Sequence, residues 1–422
     1  MSGRSHLFHA LFAGLVVFVI HAVSPISQSG DSRWTVPAIL RLLSHGNVRL
    51  DDSVSLWTPE TLYGIECVGP GGEVRRAAPS GCPDLFHAYP RYPVATIVME
   101  APVFYVLDRL APLIPPVTPA IALLAQRRYG QVYRIAEIWL ASFVVSLAAI
   151  FVFLSIPLRP AAWFWTMAFA FGSSAWSTAS RATWSHGMSI LLLAAALYLL
   201  TRKPRLVLWA GILLGLAVWN RPLNIVPLLC LAVWLHRDGL RLLLGAAAIS
   251  APFVLYCLVV YRMPVQPYFL QGNAYDWSIA RALTVVVGQL VSPGRGLLVY
   301  SPFLLLLPLG IVRWWRKDRG LVLALLAWFI CHAAIISFFG DWTGGISYGP
   351  RYWTDILPGL FLLLGAIWPP RRWMAALVLI AVLIHARGAA DARMQQWNQR
   401  WQAGQVTVWD WRNAPFLAGI TW

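Results

Sequence analysis

Long apolar runs, separated by short charged or proline-rich breaks, make up most of the chain. About 20 consecutive apolar residues form a helix that spans about 30 Å of hydrocarbon, and helices satisfy their own backbone groups inside lipid. The pattern therefore predicts an all-α polytopic membrane protein. Eleven runs are of this kind: 7–23, 131–157, 160–177, 186–201, 206–219, 222–236, 242–261, 297–314, 320–339, 352–368 and 373–388.

Basic residues in the breaks between the runs predict the orientation. Cytoplasmic loops of membrane proteins are enriched in Lys and Arg. We predict about 11 transmembrane helices, with the N-terminus inside, the C-terminus outside, and run 7–23 kept as an uncleaved first span. Four clusters then lie on the cytoplasmic side: Arg202, Lys203 and Arg205; His236, Arg237 and Arg241; Arg313, Arg316, Lys317 and Arg319; and Arg371 with Arg372.

Segment 93–113 is apolar but interrupts this alternation. A charge in mid-membrane is costly, and a crossing here would move every later basic cluster to the outside. We therefore predict an interfacial or re-entrant helix, which leaves Arg127 and Arg128 outside as the weakest point of the topology. The residues that argue against a crossing are Glu100, Pro102, Asp108 and Arg109.

The long polar segments all face the predicted extracytoplasmic side of a single domain that covers residues 1–422. They are the loops 24–92, 262–296 and 340–351 and the Trp-rich tail 389–422. The first of these loops, together with segment 93–113, is where we expect the interfacial helices.

The composition excludes an ordinary soluble enzyme, and the positive-inside rule explains only part of the positive charge. Hydrophobic residues make up 59% of the chain and charged residues 12%, against about 25% charged in soluble domains. The net charge is +16, yet twenty of the 33 Lys and Arg residues fall on the predicted outer side, where the positive-inside rule does not explain them. The basic clusters lie singly between apolar runs, so we expect no nucleic-acid partner but an outer surface suited to phosphate-bearing lipids.

Cysteine and tryptophan add two observations about the outer side. Cys67 and Cys82 share the first loop and could form a disulfide in an oxidising compartment. No spacing of Cys and His predicts a zinc site. A cluster of tail tryptophans could anchor the chain at the headgroup surface or stack on a sugar; it comprises Trp397, Trp401, Trp409, Trp411 and Trp422.

Two motifs near the first run could carry chemistry. Asp31, with Arg33 close behind, follows run 7–23 at a fixed depth and could act as a general base on an acceptor hydroxyl. It could equally be an exposed loop aspartate or the cap of a helix around 35–44. Arg91 and Tyr92 lie between two prolines and could clamp a lipid phosphate, or simply begin a helix with a snorkelling arginine.

Two further candidates lie at the ends of apolar runs. His186 begins run 186–201 and could bind a phosphate or donate a hydrogen bond, although an interfacial His also serves structural roles. Arg221 lies in the very short turn Asn220-Arg221-Pro222, where an arginine needs an anionic partner or access to water.

The most specific pattern pairs two glycine-rich segments. Arg295 lies in Ser-Pro-Gly-Arg-Gly, and Arg351 closes the segment that begins at Gly340. Glycines leave backbone N–H groups free to approach a phosphate, and two arginines could supply a bidentate clamp. Asp341 could pair with either arginine, and a tight turn alone would explain the glycines but not these charges. The flanking aromatic residues include Trp342 and Tyr348.

These blocks together resemble the membrane glycosyltransferases of the GT-C superfamily, which use polyprenyl-phosphate-linked sugars. The resemblance is closest to bacterial members related to dolichyl-phosphate-mannose–protein mannosyltransferases and aminoarabinose transferases, and it covers nearly the whole chain. The similar stretches are GDSRWTVPAILRLLSHGNVRLDD, WSTASRATWSHGMSILL, SPGRGLLVYSPFLLLLPLGI and GDWTGGISYGPRYWTDILP.

The resemblance implies a role for each candidate residue. Asp31 would be the catalytic base for an inverting attack on the anomeric carbon. Ser32 follows it where some relatives have a second acidic residue, so no cofactor is certain and a divalent metal stays open; Val94 replaces the family's usual Pro after Tyr92-Pro93. The donor phosphate would be held by Arg91, Tyr92, Arg221, Arg295 and Arg351, with support from Arg33, His186, Asp341, Trp342 and Tyr348.

The expected function is transfer of a sugar from a polyprenyl-phosphate donor to an extracytoplasmic lipid, glycan or protein acceptor at a bacterial inner (plasma) membrane. A transporter or flippase of a lipid-linked saccharide is the alternative. It predicts charges buried in mid-span, but Glu137, the one acidic residue clearly inside a long run, lies near its outer end. It also predicts internal repeats, and none is evident in the sequence. A structural assembly subunit, the third class, would not need Asp31 and Asp341.

Overall fold

The computed structural model describes residues 3–28, 30–58, 62–110, 129–270 and 275–420. Helices dominate this part of the chain. In the first half they are α1 (Gly3–Ala22), α2 (Thr35–His45), α3 (Val94–Leu110), α4 (Tyr129–Ser155), α5 (Arg159–Phe171), α6 (Ser174–Ser177), α7 (Ser185–Arg202) and α8 (Val207–Asn220). In the second half they are α9 (Ile225–Trp234), α10 (Arg237–Tyr261), α11 (Pro267–Leu270), α12 (Ile279–Val291), α13 (Leu297–Tyr300), α14 (Leu307–Trp315), α15 (Arg319–Ser337), α16 (Leu357–Leu364), α17 (Arg372–Ala390) and α18 (Arg393–Gln402).

Six helices within the described residues are long and apolar enough to cross a membrane, which confirms a largely helical membrane protein. The predicted count of about 11 is not met. The six lie in α1, α4, α7, α10, α15 and α17, and each corresponds to one of the predicted runs.

The other five runs form helices that are too short, or that are broken inside the run. Run 297–314 becomes α13, a 3₁₀ helix that begins at Pro302, and then α14. Run 352–368 likewise divides into the 3₁₀ helix Arg351–Ile356 and the eight residues of α16. A hydropathy window counts apolar side chains but does not register where proline disrupts the backbone, so it overestimates continuous helices.

The first polar loop contains a small antiparallel sheet, which the sequence did not predict. The strand order is β2-β1-β3, formed by β1 (Ile65–Val68), β2 (Val74–Arg76) and β3 (His87–Pro90). Cys67 pairs with Arg75 on one side and Ala88 on the other. Strands this short carry too little alternation to be recognised among loop residues. The sheet matters for function because β3 ends directly before Arg91 and Tyr92.

A disulfide joins Cys67 of β1 to Cys82, with the Cα atoms 5.5 Å apart. We expect the double substitution Cys67→Ser/Cys82→Ser to lower the stability of this loop by about 3 kcal/mol, because the bond closes a loop of 15 residues. Limited proteolysis of the purified protein measures this as faster cleavage within residues 62–92. Cys331→Ala, at an exposed free cysteine, is the control. Equal cleavage of both variants would contradict the prediction.

Segment 93–113 contains the helix α3, with Pro102 inside it, and α3 packs against α2 of the same loop. The described part of α3 is 17 residues long and ends at Leu110, so whether segment 93–113 crosses the membrane stays a prediction. Residues 111–113, Arg127, Arg128 and Trp422 lie outside the described residues. The described part of the loop 262–296 contains two unpredicted helices, α11 and α12, and the tail contains α18.

Close contact between α8 and α10 fixes the position of Arg221, the first residue after α8. A Cβ added at Gly211 would lie 2.0 Å from the carbonyl oxygen of Leu242, so the two backbones touch. Asn220 then joins three elements: its amide nitrogen donates to the Ser185 carbonyl oxygen over 2.6 Å, and its amide oxygen accepts from Thr96 Oγ1 over 2.6 Å.

The bundle has two chemically different ends. At one end, Arg159 Nη1 lies 2.9 Å from His9 Nε2, and Arg313 donates to the carbonyl oxygen of Ala366 over 2.7 Å. Arg202 lies at this end too, since it is the last of the 18 residues of α7 and therefore lies roughly 26 Å from Ser185 at the other end of that helix. The candidate site residues meet at the other end, which we call the cavity end.

Candidate functional site

A cavity of ≈ 1000 Å³ opens at the cavity end of the bundle. Its wall combines residues from the segment after α1, the first loop, the ends of α8 and α15, the loop 340–351 and α18. Two of these residues, Asp31 and Arg351, are 320 residues apart in sequence. Seven of the residues predicted from sequence line it: Asp31, Arg33, Arg91, Tyr92, Arg221, Asp341 and Arg351.

Asp31 lies at the centre of this wall. One carboxylate oxygen forms an ion pair with Arg351, and the other accepts a hydrogen bond from Tyr92 Oη over 3.0 Å. The predicted alternative of a helix cap does not apply, because the N-cap of α2 is Trp34 and its side chain makes no cap bond. Asp31 is 30% exposed and Arg351 13%, so the pair is accessible from the cavity.

The surroundings keep Asp31 ionised. Burial alone would raise the pKa of its carboxyl, but the charge of Arg351 and the hydrogen bonds from Arg351 and Tyr92 outweigh burial and hold the pKa below its ordinary value. Burial and the nearby Asp31 carboxylate also raise the pKa of Tyr92 far above its usual range, so its phenol stays protonated and donates. Asp31 is therefore a carboxylate at neutral pH.

Arg351 is oriented on three sides. Its Nε donates to His186 Nε2 over 3.2 Å, and its Nη1 donates to the Gly344 carbonyl oxygen over 3.1 Å. The guanidinium lies over the ring of Trp184, 4.0 Å from the centroid. A planar group fixed in this way presents a defined edge to whatever enters the cavity.

Behind the wall, a buried aspartate connects the two arginines. Asp355 Oδ2 lies 2.8 Å from Arg221 Nε, and Asp355 Oδ1 lies 3.0 Å from His186 Nδ1. The other ring nitrogen of His186 faces Arg351 and, at 3.3 Å, Nη1 of Arg221. Because guanidinium groups only donate, this arrangement requires a neutral His186 that donates to Asp355 and accepts from the arginines.

Sequence analysis did not identify Asp355. A usable signal existed, because Asp355 lies near the start of the apolar run 352–368, where an acidic residue needs a partner or a function. Glu137 was taken as the one clear acidic residue within a run; it is buried and accepts a hydrogen bond from Thr183 Oγ1 over 3.3 Å.

Arg295 is buried beside the cavity and holds the loop 340–351 in place. Its guanidinium donates to the carbonyl oxygens of Thr343 and Gly345, over 2.8 and 3.0 Å, and to Asn398 Oδ1 over 3.2 Å. It also lies 5.0 Å from the centroid of a Trp397 ring. The structure therefore places Arg295 behind the loop that carries Arg351, whereas the sequence suggested direct contact with a phosphate.

The remaining predicted residues take different positions. Asp341 does line the cavity, and its carboxylate accepts from the backbone N–H of Thr343 over 3.0 Å. Tyr348 is buried and donates to the Ile384 carbonyl oxygen over 2.7 Å. Trp342 packs against Gly288 of α12, where a Cβ would lie 2.5 Å from the indole. Trp342 and Tyr348 thus shape the wall from behind.

Arg33 and Arg91 line the outer part of the wall. Arg91 donates to the Tyr63 carbonyl oxygen over 3.4 Å, and its Nε lies 3.7 Å from a Glu66 carboxylate oxygen. Arg91 is therefore partly neutralised, unlike a residue reserved for an anionic ligand.

The segment that carries Asp31 is fastened to the core by Arg181, which is fully buried. Its guanidinium donates to the carbonyl oxygens of Ser24 and Ile26, over 2.8 and 3.4 Å, just after the end of α1. Gln28 adds a second connection, since its side-chain amide donates to the Ser177 carbonyl oxygen over 2.8 Å. These bonds place Asp31 three residues beyond a rigid support.

The tail tryptophans separate into two groups. Trp397 and Trp401 stack with their ring centroids 6.2 Å apart and pack against Val406 and Val408. Trp409 and Trp411 are exposed. Among the described residues, no three His, Cys, Asp or Glu side chains come together in a way that could hold a metal ion.

Fold and site together define the class: a mainly α-helical membrane protein with an arginine-lined cavity, and one ionised aspartate, at one end of its bundle. Comparison with protein-family models, curated proteins and solved structures found no match for the chain.

Proposed function

We propose that the protein is an inverting GT-C-type glycosyltransferase that moves a sugar from a polyprenyl-phosphate donor to an acceptor hydroxyl. The observation that carries the proposal is the meeting of Asp31 and Arg351, 320 residues apart, in one cavity together with Arg221. A carboxylate next to fixed guanidinium groups suits a reaction that removes a proton from one substrate and develops negative charge on the other.

The charge of the cavity favours an anionic ligand. Four arginines are exposed in its lining against two aspartates, while the carboxylates of Glu66 and Asp355, which offset Arg91 and Arg221, are buried behind it. The lining residues are Arg33, Arg91, Arg221 and Arg351 against Asp31 and Asp341. Guanidinium groups recognise phosphate oxygens in bidentate geometry. Arg221 and Arg351 are the best placed for this, because Asp355 and His186 orient both from behind.

An apolar strip beside Arg221 suits a lipid tail. Leu223 and Ile225 lie two and four residues after Arg221, and Ile335 and Phe339 from the end of α15 also line the cavity. Apolar side chains adjacent to a cationic group match a molecule with a phosphate head and a prenyl chain. The donor would therefore lie with its phosphate at Arg221 and Arg351 and its chain along this strip.

In the proposed reaction, the basicity of Asp31 depends on whether Arg351 is bound to Asp31 or to the donor phosphate. A donor phosphate that engages Arg351 competes with Asp31 for the guanidinium and makes Asp31 a stronger base. Asp31 then accepts the proton of the acceptor hydroxyl as the hydroxyl oxygen bonds to the anomeric carbon. The bond from that carbon to the phosphate oxygen breaks on the opposite face, the phosphate leaves as an anion, and the configuration inverts.

The proposal includes the orientation of the chain. The cavity end would face outwards from a plasma membrane, with N-terminus inside, C-terminus outside and the eleven runs alternating in direction. Two contacts at the opposite end support this alternation: Arg159 with His9, and Trp234 Nε1 with Asp318 Oδ1 at 3.2 Å. Short or broken helices would then complete crossings inside the bundle, where neighbouring helices satisfy their backbone groups.

Binding of undecaprenyl phosphate tests the donor half of the proposal. We expect Arg351→Gln to weaken binding at least about tenfold, because a charge-assisted hydrogen bond contributes about 1.5–3 kcal/mol. Titration of the full-length protein in nanodiscs, followed by native mass spectrometry, measures the affinity.

Arg75→Gln is the matched control, since Arg75 lies on β2 and its guanidinium rests over the Phe86 ring away from the cavity. Equal affinity of the wild type and Arg351→Gln would contradict the assignment of the phosphate to this wall.

A further inference from the structure

Helix α18 presents a row of side-chain amides to the cavity. Side chains three, four and seven positions apart share one face of a helix. The four cavity-lining amides of α18 have this spacing: Gln395, Asn398, Gln399 and Gln402. Their chemistry differs from that of the arginines around Asp31, so the cavity has a charged part and a neutral polar part.

The amide row rests on a firm support. The adjacent face of α18 is buried through Met394 and Trp397, which are 2% and 1% exposed. Asn398 Oδ1 accepts from Arg295 over 3.2 Å, and the Gln395 amide nitrogen donates to the Ser27 carbonyl oxygen over 3.1 Å. Since Ser27 lies four residues before Asp31, the row begins next to the segment that carries the proposed base.

The chemistry of the row selects a neutral, hydrogen-bonding ligand. Each side-chain amide both donates and accepts hydrogen bonds, as a hydroxyl group does. An ionic group would gain little here, because charged ligands are bound best by opposite charges. A purely apolar ligand would leave buried amides such as that of Asn398 poorly matched.

We propose that the amide row of α18 is a subsite for a neutral, hydroxyl-rich saccharide, and that this saccharide is the acceptor. The binding of a saccharide does not depend on the proposed function; its assignment as the acceptor does. Asp31 suits a hydroxyl nucleophile, and a saccharide is the class of hydroxyl compound whose neighbouring groups are again hydroxyls. The donor phosphate at Arg351 and the acceptor along α18 would then meet on the two sides of Asp31.

Direct binding of neutral trisaccharides tests the subsite without any need for transfer. The probes are mannotriose, maltotriose and cellotriose, with trigalacturonate as the acidic probe and trialanine amide as the peptide probe. Each is titrated by saturation-transfer NMR against the full-length protein in nanodiscs. We expect at least one neutral trisaccharide to bind, and Gln399→Ala/Gln402→Ala to weaken that binding about tenfold through the loss of two hydrogen bonds.

The matched control is Gln396→Ala, because Gln396 is exposed on α18 but lies outside the cavity wall. Binding of the trisaccharide should be unchanged in this variant. Absence of neutral trisaccharide binding would overturn the proposal. Two other results would also overturn it. One is an equal loss of trisaccharide affinity in Gln396→Ala; the other is binding of the peptide or the acidic probe, in place of the trisaccharide, that depends on Gln399 and Gln402. Saccharide binding without undecaprenyl phosphate binding would refute the proposed function and leave the subsite standing.

Discussion

Asp31→Asn is expected to lower the rate of sugar transfer by about 10²- to 10⁴-fold, the range that a positioned general base contributes. The amide keeps the size of the side chain and can still accept from Tyr92 Oη, but it cannot take up the hydroxyl proton. The measurement is transfer of radiolabelled sugar from a synthetic polyprenyl-phosphate donor by the purified protein. Donors carrying mannose, arabinose and glucosamine are screened first with the wild type.

Asp52→Asn is the matched control for this substitution. Asp52 is also ion-paired with an arginine, Arg41, but it is exposed and lies outside the cavity wall. Transfer by this variant should equal that of the wild type. Undiminished transfer by Asp31→Asn would remove Asp31 from the role of base.

The pH profile of kcat/KM gives a second measure of the same assignment. Because the pKa of Asp31 lies below its ordinary value, the carboxylate persists as the pH falls, and the acid limb should lie below the pH range of an ordinary aspartate. In Arg351→Gln the main group that lowers this pKa is gone, so burial raises the pKa and the acid limb moves to higher pH. An acid limb at the same pH in both proteins would contradict the ion pair.

Asp355→Asn is expected to lower the free energy of unfolding by about 3–5 kcal/mol and to abolish most of the transfer activity. Removing one partner of a buried ion pair leaves the other charge uncompensated. Here Arg221, 11% exposed, loses its counter-charge, and the amide has one acceptor oxygen where the carboxylate offered one each to Arg221 and His186. The amide therefore fails to orient at least one of the two proposed phosphate ligands, either Arg221 directly or Arg351 through His186 Nε2.

Unfolding in mixed detergent, followed by tryptophan fluorescence, measures the stability change. Asp238→Asn provides the comparison, because its ion pair with Arg241 is exposed and should contribute less than about 1 kcal/mol. If Asp355→Asn lowered the free energy of unfolding as little as Asp238→Asn does, the buried contacts of Asp355 would not be what holds Arg221 and Arg351 in place.

The site was predictable where a charged residue lies at the end of an apolar run. Asp31, Arg221 and Arg351 are all of this kind, and the structure brings them together in one cavity. The roles of Arg295 and Tyr348 were not predictable, because sequence does not reveal whether a side chain points into a cavity or behind its wall. Both are buried and bond to backbone carbonyl groups.

The fold was predictable as a class and less so in detail. Apolar composition identified helices such as α4 and α15, which are long and uninterrupted. It could not identify the breaks at Pro302 and before α16, because these depend on local backbone geometry. The sheet of the first loop was missed for a related reason: it is held by a disulfide and by pairing between strands of three or four residues.

The anchoring of the Asp31 segment by Arg181 makes the position of Asp31 independent of the thickness of the lipid bilayer. Residues 24–28 are tied to the core at Ser177 and Arg181, so the height of Asp31 is set by protein–protein contacts. If the membrane becomes thicker or thinner, helices adapt by tilting or by local deformation of the bilayer. Such a change would shift the far end of α1 relative to the headgroups, while the distance between Asp31 and Arg351 stays the same.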